Sequence, residues 1–411
     1  MSTSLKIVGV KSLLKWTLGA ALLLFAWVGL ALFGGLRGWW LTPVAPTDDV
    51  TAFHAWARAE IERGDPVAGA LLLLESGDGV ARTFTEGHNE NTLFPAASLS
   101  KLLAALAVHS LVADGHADLD EPVSTYLTRW QLPETEFDDK AVTLRRLLSH
   151  TSGLTDGLGF GDYKPKESVP TLEASLNEPR ASGGRTPVIA QGQAPGKFLY
   201  SGGGYLVIEL VVEELSGLRF AEYVEQTVFR PAGMTRSTYE YPGNSVRNIA
   251  PIFDSNRTPL PWFRYASNAA TGLATTAADL ARLAAYARQL HALRKPEAFE
   301  FGAPIWGAGA ILYAPIADDF VFGHDGANDP AINSSIRINP VTGDAFVMLV
   351  SGHPDLATRI GSEWVFWQTG TPDILAVEQA LGSALLPIVV GGALILFTFI
   401  VTKTGSDRRK P

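Results

Sequence analysis

Apolar positions along this 411-residue chain fall into two regimes. Near each end lies an unbroken apolar run: Trp16 to Leu36 is 21 residues without a charge, and Gln379 to Thr402 contains LLPIVVGGALILFTFIV. At about 1.5 Å of rise per residue, either run spans a bilayer core as a helix. Between them the apolar residues recur at helix or strand spacing. After a Pro-containing linker, LTPVAPTDD, whose last Asp suits a helix start, VTAFHAWARAEIERG has helical periodicity. AGALLLLESGDGVARTFTEG predicts two strands joined at Gly-Asp-Gly. LSKLLAALAVHSLVADG predicts an apolar helix ending at Gly115, and TLRRLLSHTSGL (143–154) a short helix running into a glycine turn. Residues 155–195, polar and rich in Gly and Pro, predict a long surface loop over a cleft.

The second half follows the same logic. YLVIELVVEELSG predicts a helix ending at Gly217, and TTAADLARLAAYARQLHAL an amphipathic helix behind a Thr/Asp cap. WGAGAILY, FVFGHDG, SSIRINP and AFVMLVSG are strand-like, with a Pro-Val-Thr-Gly-Asp turn between the last two, and a final helix covers Pro354–Trp367. An early hairpin, a helical middle, late strands and a terminal helix predict an α+β fold. One antiparallel sheet is drawn from both chain ends, with flanking helices and a helical subdomain inserted between them.

Charge orients the two apolar runs. Lys6, Lys11 and Lys15 precede the first and only Arg37 follows closely. Lys403, Arg408, Arg409 and Lys410 follow the second, behind Asp373 and Glu378. The expected topology is a cytoplasmic segment 1–15, a span 16–36, an extracytoplasmic body 41–378, a span 379–402 and a cytoplasmic tail 403–411. Trp39 and Trp40 fall where an interfacial aromatic belt would sit. The bland reading of the first run is a cleaved leader, but it is longer than a usual signal core and no clear A-x-A site follows. The bland reading of the second is a buried core helix. The bilayer and an envelope substrate are the expected partners; the sequence carries no signal for oligomeric state.

Of 33 Lys+Arg and 42 Asp+Glu, eight basic residues and one acidic residue lie outside 41–378, which leaves that body at net charge −16. Such a body repels phosphate backbones, which argues against nucleic acid as a partner. The absence of cysteine excludes disulfides, thiolate metal sites and cysteine nucleophiles. No H-E-x-x-H and no G-x-S-x-G occurs, so zincin and α/β-hydrolase chemistry lack their motifs, and no cofactor is expected.

The candidate chemistry starts in NTLFPAASLSK. Ser98 and Lys101 stand at i and i+3, on one face of a helix. Serine needs a base to become a nucleophile, and lysine serves as one only where burial or a helix N-terminus lowers its pKa. By itself the spacing says little. Ser12-Leu-Leu-Lys15 repeats it beside the membrane, and a serine before an apolar helix is ordinarily an N-cap. Tyr200-Ser201-Gly202 precedes a long helix, and a tyrosine beside a lysine can relay a proton, though it can equally be a core tyrosine before a turn. His324-Asp325-Gly326, the only H-x-G in the chain, falls on a predicted strand. Its glycine would let a substrate lie along the strand, where a backbone N–H meets an oxyanion; the plain alternative is a strand histidine satisfied by a loop carbonyl.

S-x-x-K, Y-S-x and H-x-G in this order, about one hundred residues apart, resemble the serine β-lactamase-related family: class C β-lactamases, low-molecular-mass penicillin-binding proteins and related esterases. LRRLLSHTSGL, PGKFLYSGGGYLVIELVVEELSG and ATGLATTAADLARL resemble its surrounding segments, so the likeness covers roughly 50–368. It implies a β-lactamase/transpeptidase-like fold with Ser98 acylated, Lys101 as proton acceptor and Tyr200 relaying protons to the leaving group. The N–H groups of Ser98 and Ala327 would form the oxyanion hole, with His324, Gly326 and Gly202 against the substrate. H-T-S-G at 150–153 is mainly structural in that family. Two departures stand out. Gly202 replaces the usual asparagine, and His324 stands where many members carry lysine, so a substrate carboxylate should be held less well. Both disfavour an efficient β-lactamase. The resemblance therefore implies a hydrolase of D-amino-acid peptides or esters. A catalytically silent penicillin-binding receptor and a true β-lactamase are the alternatives.

Overall fold

The computed structural model describes residues 2–75, 79–154, 161, 163–177, 195–243, 247–300, 302–329 and 331–408. Gly77 and Asp78 of the hairpin turn, most of the 155–195 loop, and Arg409 and Lys410 lie outside them.

The chain opens with α1 (Ser2–Leu36) and passes to α2 (Val50–Gly64), where Asp49 Oδ1 accepts the Ala52 N–H at 2.9 Å. Phe53, Ala57 and Ile61, one turn apart, are the buried stripe of α2, and Phe53 stacks on Trp367 with centroids 5.0 Å apart. Strands β1 (Ala68–Leu74) and β2 (Val80–Phe84) pair antiparallel as the hairpin pattern requires. Three helices of the inserted body position the site: α3 (Ser100–Ala113), α4 (Gly203–Ser216) and α5 (Ala277–Ala287). Helix α5 stops six residues before the periodicity does, because Leu293 belongs to a separate turn of 3₁₀ helix at His291–Arg294, which Leu290 caps.

Six strands return: β3 (Ala298–Glu300), β4 (Ala303–Trp306), β5 (Ile311–Ile316), β6 (Asp319–Asn328), β7 (Ile332–Ile338) and β8 (Ala345–Ser351). WGAGAILY is thus two strands rather than one run. The chain reverses at Gly307–Ala310, where Gly309 takes φ +112° and packs against Ala105 of α3. The eight strands form one antiparallel sheet in the order β2-β1-β8-β7-β6-β5-β4-β3. Leu72 of the first strand faces Val347 of the last, so the sheet is built from both chain ends.

Both faces of the sheet are covered, which explains why AGALLLL is apolar without alternation. Leu72, Ile336, Val347 and Leu349 pack into the core around α3 and α4. Leu71, Leu73, Phe346 and Met348 face the opposite way, against α2 and α6 (Leu356–Thr369). The active-site elements therefore sit where the helical body meets one sheet face.

Beyond α6 comes α7 (Leu385–Arg408), with Pro387 in its first turn, where no helical N–H is lost. It runs antiparallel to α1. Gly35 packs on Ala380, the Trp27 indole N–H donates to the Pro387 carbonyl at 3.0 Å, and Trp16 meets Phe399 edge-on at 5.7 Å. Gly391 has no side chain because the Trp27 ring fills that space. Both helices are long and apolar enough to cross a membrane, and among the described residues most of their side chains are uncovered by protein, so the second is not a core helix.

Candidate active site

Ser98 lies in a single 3₁₀ turn, Ala97–Leu99, that leads directly into α3. Ala97 is held at φ +47°, a left-handed conformation costing about 1–2 kcal/mol for an L-residue. The neighbours hold it in place. Ser100 Oγ donates to the Ala97 carbonyl at 2.7 Å and accepts the Leu273 N–H at 3.0 Å, and the Ala96 N–H donates to the Leu273 carbonyl at 2.9 Å. Ser334 Oγ donates to the Ala96 carbonyl at 2.7 Å from the sheet side. Ser98 is left half-buried at the mouth of this braced turn.

Lys101, one turn on, is 1% exposed. Its Nζ donates to Ser98 Oγ at 3.1 Å and to the Ala270 carbonyl at 2.8 Å, and lies 5.2 Å and 5.4 Å from the centroids of the Tyr200 and Tyr205 rings. The i,i+3 spacing has produced the expected contact.

Tyr200 enters from the segment before α4, where Ser201 Oγ accepts the Gly204 N–H and starts the helix. Its position depends on His150, from the H-T-S-G segment, and the structural role implied for that segment takes a definite form here. His150 Nδ1 accepts the Ser201 N–H at 3.0 Å, its carbonyl accepts the Leu199 N–H at 2.8 Å, and its ring lies 4.3 Å from the Tyr200 ring. Burial, then the Lys101 charge, pushes the His150 pKa well below the ordinary histidine value, so the ring is neutral as an acceptor requires. Trp306 Nε1 and Tyr205 Oη both donate to the Leu148 carbonyl, closing the aromatic floor.

Strand β6 runs directly beside the Ser98 turn. A Cβ at position 326 would run into the Ala96 carbonyl and the Ser334 hydroxyl and stand 3.1 Å from the Leu99 nitrogen, so only glycine admits this approach. Ala327, next along, is exposed at the cleft edge. His324 differs from the sequence-based expectation of a partly charged, substrate-facing ring. It is 1% exposed and meets Trp306 edge-on at 5.4 Å. Its Nδ1 donates to the Asp325 carbonyl at 2.6 Å, while Nε2 is buried without a hydrogen-bond partner among the described residues. Burial first and Lys101 second push its pKa down to about 4, so it carries no charge at neutral pH. Gly202 is also buried, in helical conformation at the start of α4.

Asp325 points to the other sheet face. Tyr313 Oη and Ser335 Oγ donate to its Oδ1 at 2.8 and 2.6 Å, and Arg337, wholly buried, donates to its Oδ2 at 2.9 Å. Arg337 also pairs with Asp373 at 3.1 Å, just before the second apolar segment. Nothing in the sequence links these residues; they meet only because β6 and β7 pair and residue 373 returns beneath them.

To one side of Ser98 lies a cleft of about 430 Å³, lined by Tyr241, Trp262, Phe263, Tyr265, Asn268 and Ile332 among others. Ala97 shares an apolar cluster with Ile252 and Ile332, against which Trp262 packs, and the Tyr265 hydroxyl accepts from Asn328 Nδ2 at 3.1 Å, so this aromatic cleft adjoins the turn and the end of β6. The assembled groups are a half-buried hydroxyl, a buried amine touching it, a phenol ring beside the amine and a strand edge alongside.

The beta-lactamase family model matches residues 47–363. Penicillin-binding protein 4* of Bacillus subtilis is 31% identical over 183 residues, 41% of this chain and 37% of the relative, so the match spans little more than a third of that protein's length. Penicillin-binding protein 4 of Amycolatopsis lactamdurans is 27% identical over 70% of this chain and 78% of its own. Among solved structures, the octameric penicillin-binding protein homologue from Pyrococcus abyssi superposes with TM-score 0.61 at 22% identity, covering 79% of this chain and 78% of that one, which shows a shared fold. With the family model covering most of the chain and the fold in agreement, this chain belongs to the beta-lactamase family.

Proposed function

We propose that this protein is a membrane-anchored serine hydrolase working through an acyl-Ser98 intermediate on D-amino-acid peptides or esters of the cell envelope. The observation that carries the reading is the 3.1 Å contact between Lys101 Nζ and Ser98 Oγ, with the Tyr200 ring and the 324–327 strand beside it. As Ser98 Oγ bonds to the acyl carbon, its proton passes to Lys101 Nζ. The carbonyl oxygen, now negative, takes hydrogen bonds from the Ser98 and Ala327 N–H groups. Collapse breaks the bond to the leaving nitrogen or oxygen, which takes the proton through Tyr200. Water then attacks the ester, its proton returning through the same groups, and releases the acid and free Ser98.

The paired terminal helices support a two-pass anchor. Their antiparallel packing is consistent with both chain ends on one side of a bilayer and the body on the other, the arrangement that the basic flanks favour. An extracytoplasmic body favours envelope substrates. The neutral, buried His324 and the side-chain-free Gly202 mean that these two positions supply neither the charge nor the amide that would hold a β-lactam carboxylate and side-chain amide, so esters and simple D-amino-acid amides fit better. Relatives named esterase EstB (Burkholderia gladioli) and teichoic acid D-alanine hydrolase (Staphylococcus aureus) indicate that such chemistry is within reach of this family.

A second reading, a silent receptor that keeps the fold, has Gly202 in its favour and the intact Ser98–Lys101 contact against it. The test is turnover of p-nitrophenyl esters, D-Ala-D-Ala peptides and nitrocefin by wild type and Ser98→Ala. Ser98-dependent ester turnover well above nitrocefin turnover is expected. Fast nitrocefin hydrolysis would make the protein a true β-lactamase, and no Ser98-dependent turnover or acylation would favour the receptor.

A further inference from the structure

Glu209 has no part in the chemistry above, yet it sits in the middle of α4 with its carboxylate buried. Its neighbours Leu206, Val207, Ile208, Leu210, Val211 and Val212 are all fully buried apolar residues. A carboxyl in such a place is costly unless its hydrogen bonds are met. Here the donors, Ser267, Ala269 and the Asn268 backbone, come from one distant turn. Ser267 Oγ donates to Glu209 Oε2 at 2.7 Å, and the Ala269 N–H donates to the same oxygen at 3.0 Å. The Ser267 hydroxyl in turn accepts the Ala270 N–H at 3.1 Å. The carbonyl of Ala270 is the acceptor that holds Lys101 Nζ at 2.8 Å. Glu209, Ser267, Ala270, Lys101 and Ser98 are thus joined through consecutive hydrogen bonds and the backbone of the single residue Ala270, all but Ser98 buried.

We propose that Glu209 is a positioning residue: by clamping the Ser267–Ala270 turn it fixes the carbonyl that aims the Lys101 amine at Ser98. The turn needs such a clamp. It is a tight reversal in which a side chain at Gly272 would stand 2.6 Å from Asn268 Oδ1, and no regular strand or helix holds residues 267–270. Burial raises the Glu209 carboxyl to about 8, against the pull of its hydrogen bonds from Ala269, Ser267 and Asn268, so near pH 7 it acts as a neutral acceptor that glutamine can imitate. The groups facing it are Glu213 on its own helix and the Tyr239 hydroxyl, which is buried without a hydrogen-bond partner among the described residues. The inference rests on the proposed role of Ser98 and Lys101 for its kinetic consequence, but not for the clamp itself.

The test compares full-length wild type with Glu209→Gln, Glu209→Ala and Ser267→Ala, the last a small change with little risk to folding. Amide hydrogen exchange over 267–273 reads the clamp, and the rate of Ser98 labelling by a fluorophosphonate, with kcat and KM on a p-nitrophenyl ester, reads its effect on Lys101. Expected are faster exchange confined to 267–273 in Glu209→Ala and Ser267→Ala, labelling and kcat at least tenfold lower with KM within about twofold, and Glu209→Gln within threefold of wild type. Unchanged exchange in both truncations would overturn the clamp whether or not the protein is an enzyme. Altered exchange with wild-type labelling rates would overturn the positioning role. Absence of Ser98-dependent labelling in wild type would instead overturn the proposed function, leaving exchange to decide the clamp.

Discussion

The His150 imidazole accepts the Ser201 N–H at 3.0 Å while its ring lies against Tyr200, so one neutral histidine sets both the backbone and the ring of the tyrosine segment. His150→Ala removes the acceptor and opens a cavity beneath Tyr200. A loss of about 2–4 kcal/mol in stability is expected from the cavity and the orphaned amide. Ser98 labelling should fall at least tenfold under conditions where the variant is still folded. Melting curves alongside labelling rates check this; wild-type labelling would mean Tyr200 holds its place without His150.

Arg337 is wholly buried between Asp325 and Asp373, one on the strand that passes Ser98 and one on the approach to the second apolar helix. Burial raises the Asp373 carboxyl to about 6, with Arg337 pulling the other way. Arg337→Ala strands two carboxylates in the interior and is expected to cost about 3–5 kcal/mol, read by urea titration of the detergent-solubilised protein. A cost under about 1 kcal/mol would contradict the role given to this network.

His324 titrates at about 4 when folded, against an ordinary value of 6.5. The neutral ring is the one the fold accepts, so its contribution to stability is complete above pH 6.5. It declines as the pH falls, because the unfolded chain takes up the proton first, and the loss is complete at about pH 4. The span of the shift corresponds to roughly 3 kcal/mol. Relative to wild type, His324→Gln should lose less stability between pH 6.5 and 4, as measured by thermal melts across that range. Parallel pH profiles for the two proteins would contradict a buried, neutral His324.

The chain contains no cysteine, so single cysteines report topology without background. In the proposed topology Phe299, 56% exposed on the body, lies on the extracytoplasmic side, and Thr3 and Gly405 at the two ends lie on the cytoplasmic side. In intact spheroplasts a membrane-impermeant maleimide is expected to label Phe299→Cys alone, and Thr3→Cys and Gly405→Cys only after permeabilisation. Loss of the Thr3→Cys site from the mature protein would mean that the first helix is a cleaved leader.

Much of this molecule is legible in its sequence because the signals are local. The spacing of Ser98 and Lys101 forecasts their contact, Gly217 ends α4 at φ +67°, and the β1–β2 hairpin and the Thr276 cap lie where periodicity and capping residues set them. What escapes the sequence depends on partners far along the chain. Glu209 stands in an apolar helix, and its ligands lie 58 and 60 residues away. WGAGAILY reads as one strand because its apolar run hides the reversal made by Gly307 and by Gly309, which takes φ +112° against Ala105. His324 suggests a cleft residue by motif, but the packing of Trp306 over it decides otherwise.

The central claim is that Ser98 becomes covalently acylated with Lys101 as its proton acceptor. Intact-mass and peptide-mapping spectrometry after exposure to a fluorophosphonate tests it most directly, using wild type, Ser98→Ala and Lys101→Ala. The expected result is one adduct per chain, mapped to the peptide containing Ser98, absent in Ser98→Ala and formed at least a hundredfold more slowly in Lys101→Ala. An adduct that persists in Ser98→Ala, or a wild-type protein that stays unmodified, would contradict it.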